Sequence, residues 1–600
     1  MEENDPLREL KDDTAMKKLL IYMKGYGKES VLGPLFKLLE ASFELLVPLV
    51  MAAIIDTGVA GADRGYILRM GGVLLLLGLV GLAASITAQY FSAKAAVGFA
   101  GRLRHALFEK VESLSFTQLD TLGASTVITR MTSDINQVQT GVNLALRLLL
   151  RSPFIVFGAM AMAFTIDTKS ALVFLAVIPL LALVVFGVML WTIPQYRRVQ
   201  AELDGVLGKT RETLTGARVL RAFAREEEET AAFREKNAAL ARMQRFVGRI
   251  SALMNPLTYA IINLAVLVLL HTGALQVDAG RITQGELVAL VNYMSQILVE
   301  LIKLANLIIT ITRALASANR VAAVLSLPSG NAAMAEASAP LPAAPAGVPA
   351  VEFDGVSLSY ENAGAESLSD VSFRAYPGET IGVIGGTGSG KSSLVNLIPG
   401  FYPATRGSVR VFGTDVKDWP AAALRGKVGI VPQKAVLFKG TIRENLRWGR
   451  SDAEDDALWD ALASAQAKEF VEQKEGGLSA PVEQNGRNFS GGQKQRLTIA
   501  RALVRKPEIL ILDDSASALD YATDAKLRRA IRAMEGGPTV FLVSQRAASI
   551  RHADKIIVLD DGQVAGIGTH EALLQSCSVY QEIYYSQFPK EAAAPAGKEA

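Results

Sequence analysis

The sequence contains almost no cysteine and has no large excess of charge of either sign. Its single cysteine is Cys577, so neither an intrachain disulfide nor a cysteine-rich metal site can form. The 62 basic and 59 acidic residues leave a formal net charge of +3, which argues against nucleic acid as a partner. The N-terminal segment is charged and lacks the short apolar run of a signal peptide. We therefore expect no cleaved signal, and a soluble part that lies in the cytosol.

The length and composition indicate two different units in one chain. With 600 residues, the chain is too long for a single core, because domains typically have about 100–200 residues. Hydrophobic residues make up 50% and charged residues 20%, with a mean hydropathy of +0.26. We expect an all-α membrane domain at 1–325, a Pro- and Ala-rich linker at 326–350, an α/β domain at 351–588 and a disordered tail at 589–600.

Six apolar stretches are each long enough to cross a bilayer, which takes about 20 residues of helix. They are apolar on every face rather than along one stripe, so buried helices of a soluble bundle are a poor alternative. The six predicted spans are Val31–Val59, Tyr66–Ala93, Val142–Ile166, Ser170–Ile193, Ser251–Leu275 and Gly285–Thr312.

Lysine and arginine are concentrated in the N-terminal segment and in two long connections, Lys94–Arg130 and Gln195–Arg249. The positive-inside rule places these three regions in the cytoplasm. Both connections have a helical charge pattern, so we expect the spanning helices to continue beyond the bilayer. Six spans return the C-terminal half to the cytoplasmic side of the cell membrane.

The clearest motif is GGTGSGKS at Gly385–Ser392, which follows a strand-like run and precedes a helical one. Glycines at these positions let backbone N–H groups surround phosphates, and a helix N-terminus favours anions. Lys391 is expected to reach the β- and γ-phosphates of ATP, and Ser392 to offer its hydroxyl to Mg²⁺. The alternative, a glycine-rich turn without a ligand, fits the flanking strand and helix poorly.

Two further segments fit the same chemistry. The apolar run Ile509–Asp514 ends in carboxylates, where an open α/β sheet presents its ligand-facing residues, and Asp513 is expected to hold Mg²⁺. FSGGQKQR at Phe489–Arg496 opens a helical segment and provides a second helix N-terminus for phosphate.

This set of motifs resembles the ATP-binding cassettes, and six spans followed by one cassette resemble the half-transporters of the ABC exporter family with the type IV fold, which includes multidrug and lipid exporters. The resemblance covers the whole chain. It implies ATP and Mg²⁺ as cofactors, ATP hydrolysis coupled to transport, a second half-transporter as partner, and coupling segments at Leu119–Ile135 and Glu212–Phe223.

The resemblance also assigns roles to individual residues. Tyr360 matches the aromatic residue that stacks on adenine, and Gln433 matches the sensor of Mg²⁺ and the γ-phosphate. Ser490, Gly491, Gly492 and Gln493 match the signature that contacts ATP held by the opposite subunit, and residues 517–520 match the loop between the two sites. The other expected ATP-binding residues are Gly385, Gly386, Thr387, Gly388, Ser389, Gly390, Lys391, Ser392, Ser393 and Asp513; those expected at the metal are Ser392, Gln433 and Asp513.

Two departures fall on catalytic positions. Asp514 stands where an active cassette of this family has Glu, and Gln545 stands where it has His. A displacement of about 1 Å can lower a rate about a hundredfold, and Gln cannot become a cation as His can. We predict a site that holds ATP but hydrolyses it slowly or not at all, in a heterodimer whose partner supplies Glu and His. A homodimeric exporter of lipid, peptide or siderophore, and an ATP-gated regulator that rarely hydrolyses, are the alternatives.

Charged residues inside the predicted spans are the only pointer to the substrate. Glu44 and Glu300 fall near the middle of the first and sixth spans, and Arg147 and Arg151 lie one turn apart in the third. The glutamates either line a cavity for cationic amphiphiles or form internal pairs, Glu300 with Lys303 and Glu40 with Lys37. We expect a small amphipathic or hydrophobic substrate.

Overall fold

The computed structural model describes residues 16, 18–329, 347–361, 363–515, 517–534 and 536–589. Most of the predicted linker and nearly all of the predicted tail therefore lie outside the described residues. The chain divides into two compact units, Met1–Lys110 with Ser125–Ser326 and Val111–Ala124 with Leu327–Ala600. The second unit thus includes a short piece of the predicted membrane domain.

The described residues of the N-terminal part form helices joined by turns, and six helical segments among them are long and apolar enough to cross a membrane. A 3₁₀ turn at Leu20–Met23 comes first, and π-helical segments at Ile54–Val59 and Arg130–Asp134 continue their neighbouring helices. The α-helices are α1 (Gly27–Ala53), α2 (Arg64–Glu112), α3 (Phe116–Leu122), α4 (Ala124–Thr129), α5 (Ile135–Leu148), α6 (Arg151–Ile166), α7 (Thr168–Thr215), α8 (Ala217–Ala222), α9 (Glu226–Asp278) and α10 (Gln284–Ser326).

The long helices extend well beyond the thickness of a bilayer. Helices α2, α7 and α9 have 49, 48 and 53 residues, and at 1.5 Å per residue they reach about 70–80 Å. One part of their surface is buried, including Phe99 and Phe174, whereas large apolar side chains such as Leu75, Leu183 and Leu267 are exposed. Apolar exposed faces of this kind are suited to lipid, as the predicted spans require.

The third span differs from the prediction of one continuous helix. Helix α5 ends at Leu148 and α6 begins at Arg151, with a turn at residues 149–150 between them. Pro153 lies in the first turn of α6, where its missing N–H cannot continue the hydrogen-bond ladder of α5. The break separates Arg147 from Arg151.

The C-terminal part is an α/β domain built on a mostly parallel six-stranded sheet. Its strands are β1 (Val351–Leu358), β2 (Leu368–Ala375), β3 (Thr380–Gly385), β4 (Arg406–Val411), β5 (Thr414–Asp415), β6 (Val428–Val431), β7 (Gly440–Thr441), β8 (Pro481–Val482), β9 (Ile509–Asp513), β10 (Thr539–Val543), β11 (Lys555–Asp560) and β12 (Gln563–Gly568). Its α-helices are α11 (Lys391–Leu397), α12 (Ala421–Lys427), α13 (Ile442–Arg447), α14 (Asp455–Ser464), α15 (Lys468–Glu472), α16 (Gly491–Val504), α17 (Tyr521–Arg532), α18 (Ala547–Ile550), α19 (His570–Ser576) and α20 (Ser578–Gln587), and short 3₁₀ turns lie at Val416–Asp418, Gly477–Ser479 and Gln484–Gly486.

The strand order of the main sheet determines where the site forms. The order is β12-β11-β3-β10-β9-β6, with β12 antiparallel at one edge. Strands β3, β10 and β9 are adjacent and parallel, so the segments that follow them emerge side by side. A four-stranded sheet, β2-β1-β4-β5, and the pair β7-β8 complete the domain. The predicted fold class is confirmed.

Candidate functional site

The phosphate loop connects the buried strand β3 to helix α11. Gly390 has φ +89°, and a Cβ at this position would lie 2.6 Å from the carbonyl oxygen of Ser367. A Cβ at Gly385 would lie 2.2 Å from the carbonyl oxygen of Leu559. Both glycines are therefore required by the loop's backbone path, and the loop leads into the N-terminus of α11.

The side chain of Lys391 lies across this loop. Its Nζ donates to the carbonyl oxygens of Gly385 at 3.0 Å and Gly386 at 2.5 Å. Burial lowers the pKa of Lys391, while the neighbouring carboxylates of Asp514 and Asp513 act in the opposite direction. The amine is thus held at the loop with its charge poorly solvated, a state that an anion relieves.

The groups suited to Mg²⁺ meet where α11 begins and β9 ends. The Ser392 hydroxyl donates to Oδ1 of Asp513 at 3.0 Å, and burial raises the pKa of Asp513. Within the described ranges, no cluster of three His, Cys, Asp or Glu residues could enclose a metal ion. An oxygen-only pair beside a phosphate loop fits Mg²⁺, which is commonly held by one or two carboxylates together with substrate phosphates.

Asp514 lies next to this pair in an unusual conformation. Its φ of +43° is in the left-handed region, which few non-glycine residues adopt. Its carboxylate accepts a long hydrogen bond of 3.4 Å from Nε2 of Gln433, and its N–H donates to the carbonyl of Val543 at 3.0 Å. Burial raises the pKa of Asp514.

One cavity of about 240 Å³ brings most of the predicted residues together. The signature residues, Tyr360, Gly385, Gly386 and Ser389 are not part of its wall. The predicted residues that line it are Thr387, Gly388, Gly390, Lys391, Ser392, Ser393, Gln433, Asp513, Asp514 and Gln545.

Tyr360 is close to the cavity although it does not line it. Its hydroxyl donates to Oγ of Ser393, a lining residue, at 3.0 Å. Its ring stands edge-on to Tyr402, with 5.0 Å between the ring centroids. The Tyr360 ring is therefore near the phosphate loop and also packs against Tyr402.

The signature forms a separate, exposed helix N-terminus. Ser490 caps α16 and forms a capping box with Gln493, with hydrogen bonds of 3.1 and 3.4 Å. A Cβ at Gly492 would lie 3.0 Å from the carbonyl oxygen of Ala518. The signature therefore adjoins the loop of residues 517–520, and its residues do not line the cavity at the chain's own phosphate loop.

Arg546, which follows Gln545, is a further residue near the site that the sequence did not indicate. Its guanidinium donates to the carbonyl oxygens of Leu519 at 3.2 Å and Ser517 at 3.0 Å. It also lies over the ring of Tyr521, 5.2 Å from the centroid. Arg546 thus connects the segment after β10 to the loop of residues 517–520; its position next to Gln545 was the only signal in the sequence.

Helix α3 is held in the second unit by contacts that the sequence did not indicate. The Phe116 ring packs on that of Phe401 at a centroid distance of 4.3 Å. The Tyr402 hydroxyl donates to Oδ2 of Asp120 at 2.6 Å. Burial, followed by the effect of Asp120, raises the pKa of Tyr402. Because Tyr402 also contacts Tyr360, the predicted coupling segment and the predicted adenine-stacking residue share one neighbour.

In the membrane unit, the predicted internal pairs are confirmed. Lys303 donates to Glu300 at 2.8 Å, and Lys37 donates to Glu40 at 2.5 Å. The larger feature, which the sequence did not reveal, is that Arg151 bridges Glu300 at 2.6 Å and Glu44 at 2.5 Å. Glu44, Glu300 and Lys303 also line a cavity of about 380 Å³. The glutamates therefore line a cavity and are ion-paired as well.

Six membrane-crossing helices followed by a phosphate-loop α/β cassette define a membrane transporter that uses ATP. Residues 30–301 match the family model of the ABC transporter transmembrane region, and residues 368–517 match that of the ABC transporter cassette. The chain belongs to the ABC transporter family. It is a multi-pass membrane protein with an ABC-type ATPase domain in the cytoplasm.

Individual relatives agree over nearly the full length. An uncharacterised ABC transporter ATP-binding protein of Mycobacterium bovis is 36% identical, over 94% of this chain and 97% of that protein. One from Bacillus subtilis is 35% identical, over 96% and 99%. An ATP-dependent lipid A-core flippase of Chromobacterium violaceum is 29% identical, over 96% and 98%. A bacterial Atm1-family ABC exporter with ATP bound has a similar fold, with a TM-score of 0.77 at 23% identity over 95% and 99% of the two chains.

Proposed function

We propose that this chain is one half of a heterodimeric ABC exporter whose own site holds ATP and Mg²⁺ with slow or no hydrolysis. The observation that carries the proposal is that Asp514 and Gln545 line the same cavity as the phosphate loop. The two departures from an active cassette are therefore at the place where ATP would be cleaved.

The other residues of the cavity suit ATP binding. The Lys391 amine lies on the phosphate loop, which supports contact with phosphates. Tyr360 is outside the cavity wall, but its hydroxyl donates to Ser393 of that wall, which supports a role beside the nucleotide. Ser392, Asp513 and Gln433 supply oxygen atoms for Mg²⁺, which when bound neutralises phosphate charge. Asp514 is too short to place a carboxylate where Glu would, and its weak bond to Gln433 does not extend it towards a phosphate.

A second half-transporter is supported by two exposed surfaces. The first of these is the N-terminus of the signature helix, where Ser490 and Gly491 are exposed and do not line the chain's own cavity. In the membrane unit, the segment around α8 exposes Leu214 by 73%, Val219 by 60% and Phe223 by 73%. An exposed apolar cluster of this kind at the end of two long helices is suited to contact another protein surface.

The membrane cavity supports a small amphipathic substrate. Its wall combines apolar side chains such as Val47 and Met51 with polar ones such as Asn292 and Gln296. The nearby glutamates are neutralised by Arg151 and Lys303, so the cavity favours a molecule with both polar and apolar parts over a simple cation.

The test is ATP hydrolysis by this chain alone, and then together with a half-transporter from an adjacent reading frame that carries Glu and His at the two positions. We expect hydrolysis only by the pair. In the pair, Ser490→Arg should abolish it, because the signature completes the partner's site, whereas Asp514→Asn should leave most of it intact. Rapid turnover by this chain alone, or a pair inactivated by Asp514→Asn, would contradict the proposal.

A further inference from the structure

The cassette contains a second cavity, of about 740 Å³, apart from the phosphate loop. Its wall includes apolar side chains, those of Leu512 of β9 and of Val540 and Leu542 of β10. Residues of helices α17 and α18 and Phe588 also line it. None of the predicted ATP-binding residues lines it, so the proposed function leaves this cavity without a role.

Four arginines line this cavity: Arg528, Arg529, Arg532 and Arg551. Of these, Arg528 is paired with a carboxylate, that of Asp524, at 3.0 Å. For the other three, no carboxylate lies within ion-pair distance in the part of the chain that the structure describes. Even Arg528 keeps a buried Nε without a hydrogen-bond acceptor.

The local contacts hold these cations in place without neutralising them. Arg532 donates to the carbonyl oxygen of His552, and Nε of Arg551 donates to Nε2 of the His552 ring at 3.1 Å. Asp554, whose carboxylate accepts from the Thr380 N–H at 2.8 Å, does not line the cavity. Among the described residues, the cavity wall contains four arginines and no Asp or Glu, so positive charge is in excess there.

The same arginines act on His552, which also lines the cavity. Burial lowers its pKa, and the positive charges of Arg551, Arg528 and Arg532 lower it further. Guanidinium groups bind phosphate oxygens in a bidentate manner, and several of them around one concave wall are suited to an anion with more than one charge.

We propose that this cavity binds a small polyanion that carries at least two phosphate groups. Its volume is in the range of about 300–1,000 Å³ that is typical of small-molecule sites. Arg529, Arg532 and Arg551 bind the phosphates. Free diphosphate and the diphosphate group of a nucleotide would bind these arginines in the same way. A nucleotide could also place its base against the aromatic residues Tyr521 and Phe588.

A ligand in this cavity would be connected to the ATP site by a series of side-chain contacts. Helix α17 begins directly after the loop of residues 517–520, and Tyr521, a lining residue, lies under the guanidinium of Arg546. Arg546 in turn holds Ser517 and Leu519. A ligand that stabilises α17 therefore stabilises the loop that the family resemblance places between the two ATP sites.

The experiment is calorimetric titration of the full-length chain in lipid nanodiscs with inorganic pyrophosphate, in a Lys391→Ala background that disables the phosphate loop. We expect one binding site whose affinity falls with rising salt. The double substitution Arg529→Gln and Arg551→Gln should weaken it about tenfold or more, since hydrogen bonds to charged groups are lost. Lys526→Gln removes one charge from the same helix at a residue outside the cavity wall and should have no such effect.

A parallel titration with ADP identifies the source: tighter binding than pyrophosphate indicates a nucleotide, and equal binding indicates the free diphosphate. The proposal is overturned if the Lys391→Ala chain binds no pyrophosphate, or if the double arginine variant, folded with an unchanged melting temperature, binds it as tightly as the Lys526→Gln variant does.

Discussion

Replacing Asp514 by Glu and Gln545 by His in one chain is expected to convert its ATP site into a hydrolysing one. The Asp514 carboxylate reaches Gln433 only through a hydrogen bond of 3.4 Å. One additional methylene advances the carboxylate by about 1 Å, a displacement associated with about a hundredfold in rate. Asp514→Glu alone should give this increase in rate. Gln545→His adds a side chain that can carry a positive charge near phosphate.

We therefore expect about a hundredfold faster phosphate release from Asp514→Glu alone, and a further increase when Gln545→His is added. The assay is steady-state phosphate release by the purified chain in nanodiscs, where two copies provide intact signatures. Lys391→Ala added to the double variant is the control and should abolish the gain. The reasoning is refuted if the double variant binds ATP as the original chain does and still hydrolyses it at the original rate.

Glu300→Gln should lower the free energy of unfolding of the membrane unit by about 3–5 kcal/mol, because it breaks a buried ion pair in which Glu300 is 3% exposed. Glu44 is 39% exposed, so Glu44→Gln should lower this free energy by less. Equal melting temperatures of the two variants would contradict this prediction. Tyr402→Phe removes the hydrogen bond to Asp120. If this lowers the local stability of α3 by about 1 kcal/mol, its backbone amides should exchange hydrogen about fivefold faster. Tyr376→Phe, at an exposed tyrosine, is the control, and an unchanged exchange rate of α3 in Tyr402→Phe would count against the contact. Asp513→Asn should raise the melting temperature of the nucleotide-free protein at neutral pH, since burial raises the pKa of Asp513 and the folded state therefore binds this proton more tightly than the unfolded chain. The higher melting temperature of Asp513→Asn should disappear as the pH falls through the raised pKa of Asp513. A melting-temperature difference that does not change with pH would contradict the raised pKa.

The spans, the cassette and the phosphate loop could be predicted because each is written in local sequence. Twenty-residue apolar runs and a glycine-rich loop before Lys391 need no knowledge of distant residues. The cavity around Lys391, Asp513 and Gln545 could be anticipated because the strands that precede these residues are adjacent and parallel.

Contacts between distant residues could not be predicted. Arg151 and Glu300 are 149 positions apart, and the Tyr402 bond to Asp120 spans 282 positions, so no periodic pattern connects them. The break before Arg151 was a local feature that the apolar run concealed, although Pro153 marked it. The start of α3 had a similar local mark, the capping box of Ser115 and Gln118.

The central claim is that this chain's own site holds ATP without cleaving it, and a single-turnover experiment tests it most directly. The assembled transporter with Ser490→Arg, which silences the partner's site, is mixed with a substoichiometric amount of radiolabelled ATP and quenched at intervals. The account predicts that the bound label remains ATP over many turnover times of the unmodified pair. Conversion of the bound label to ADP at the rate of the unmodified pair would contradict it.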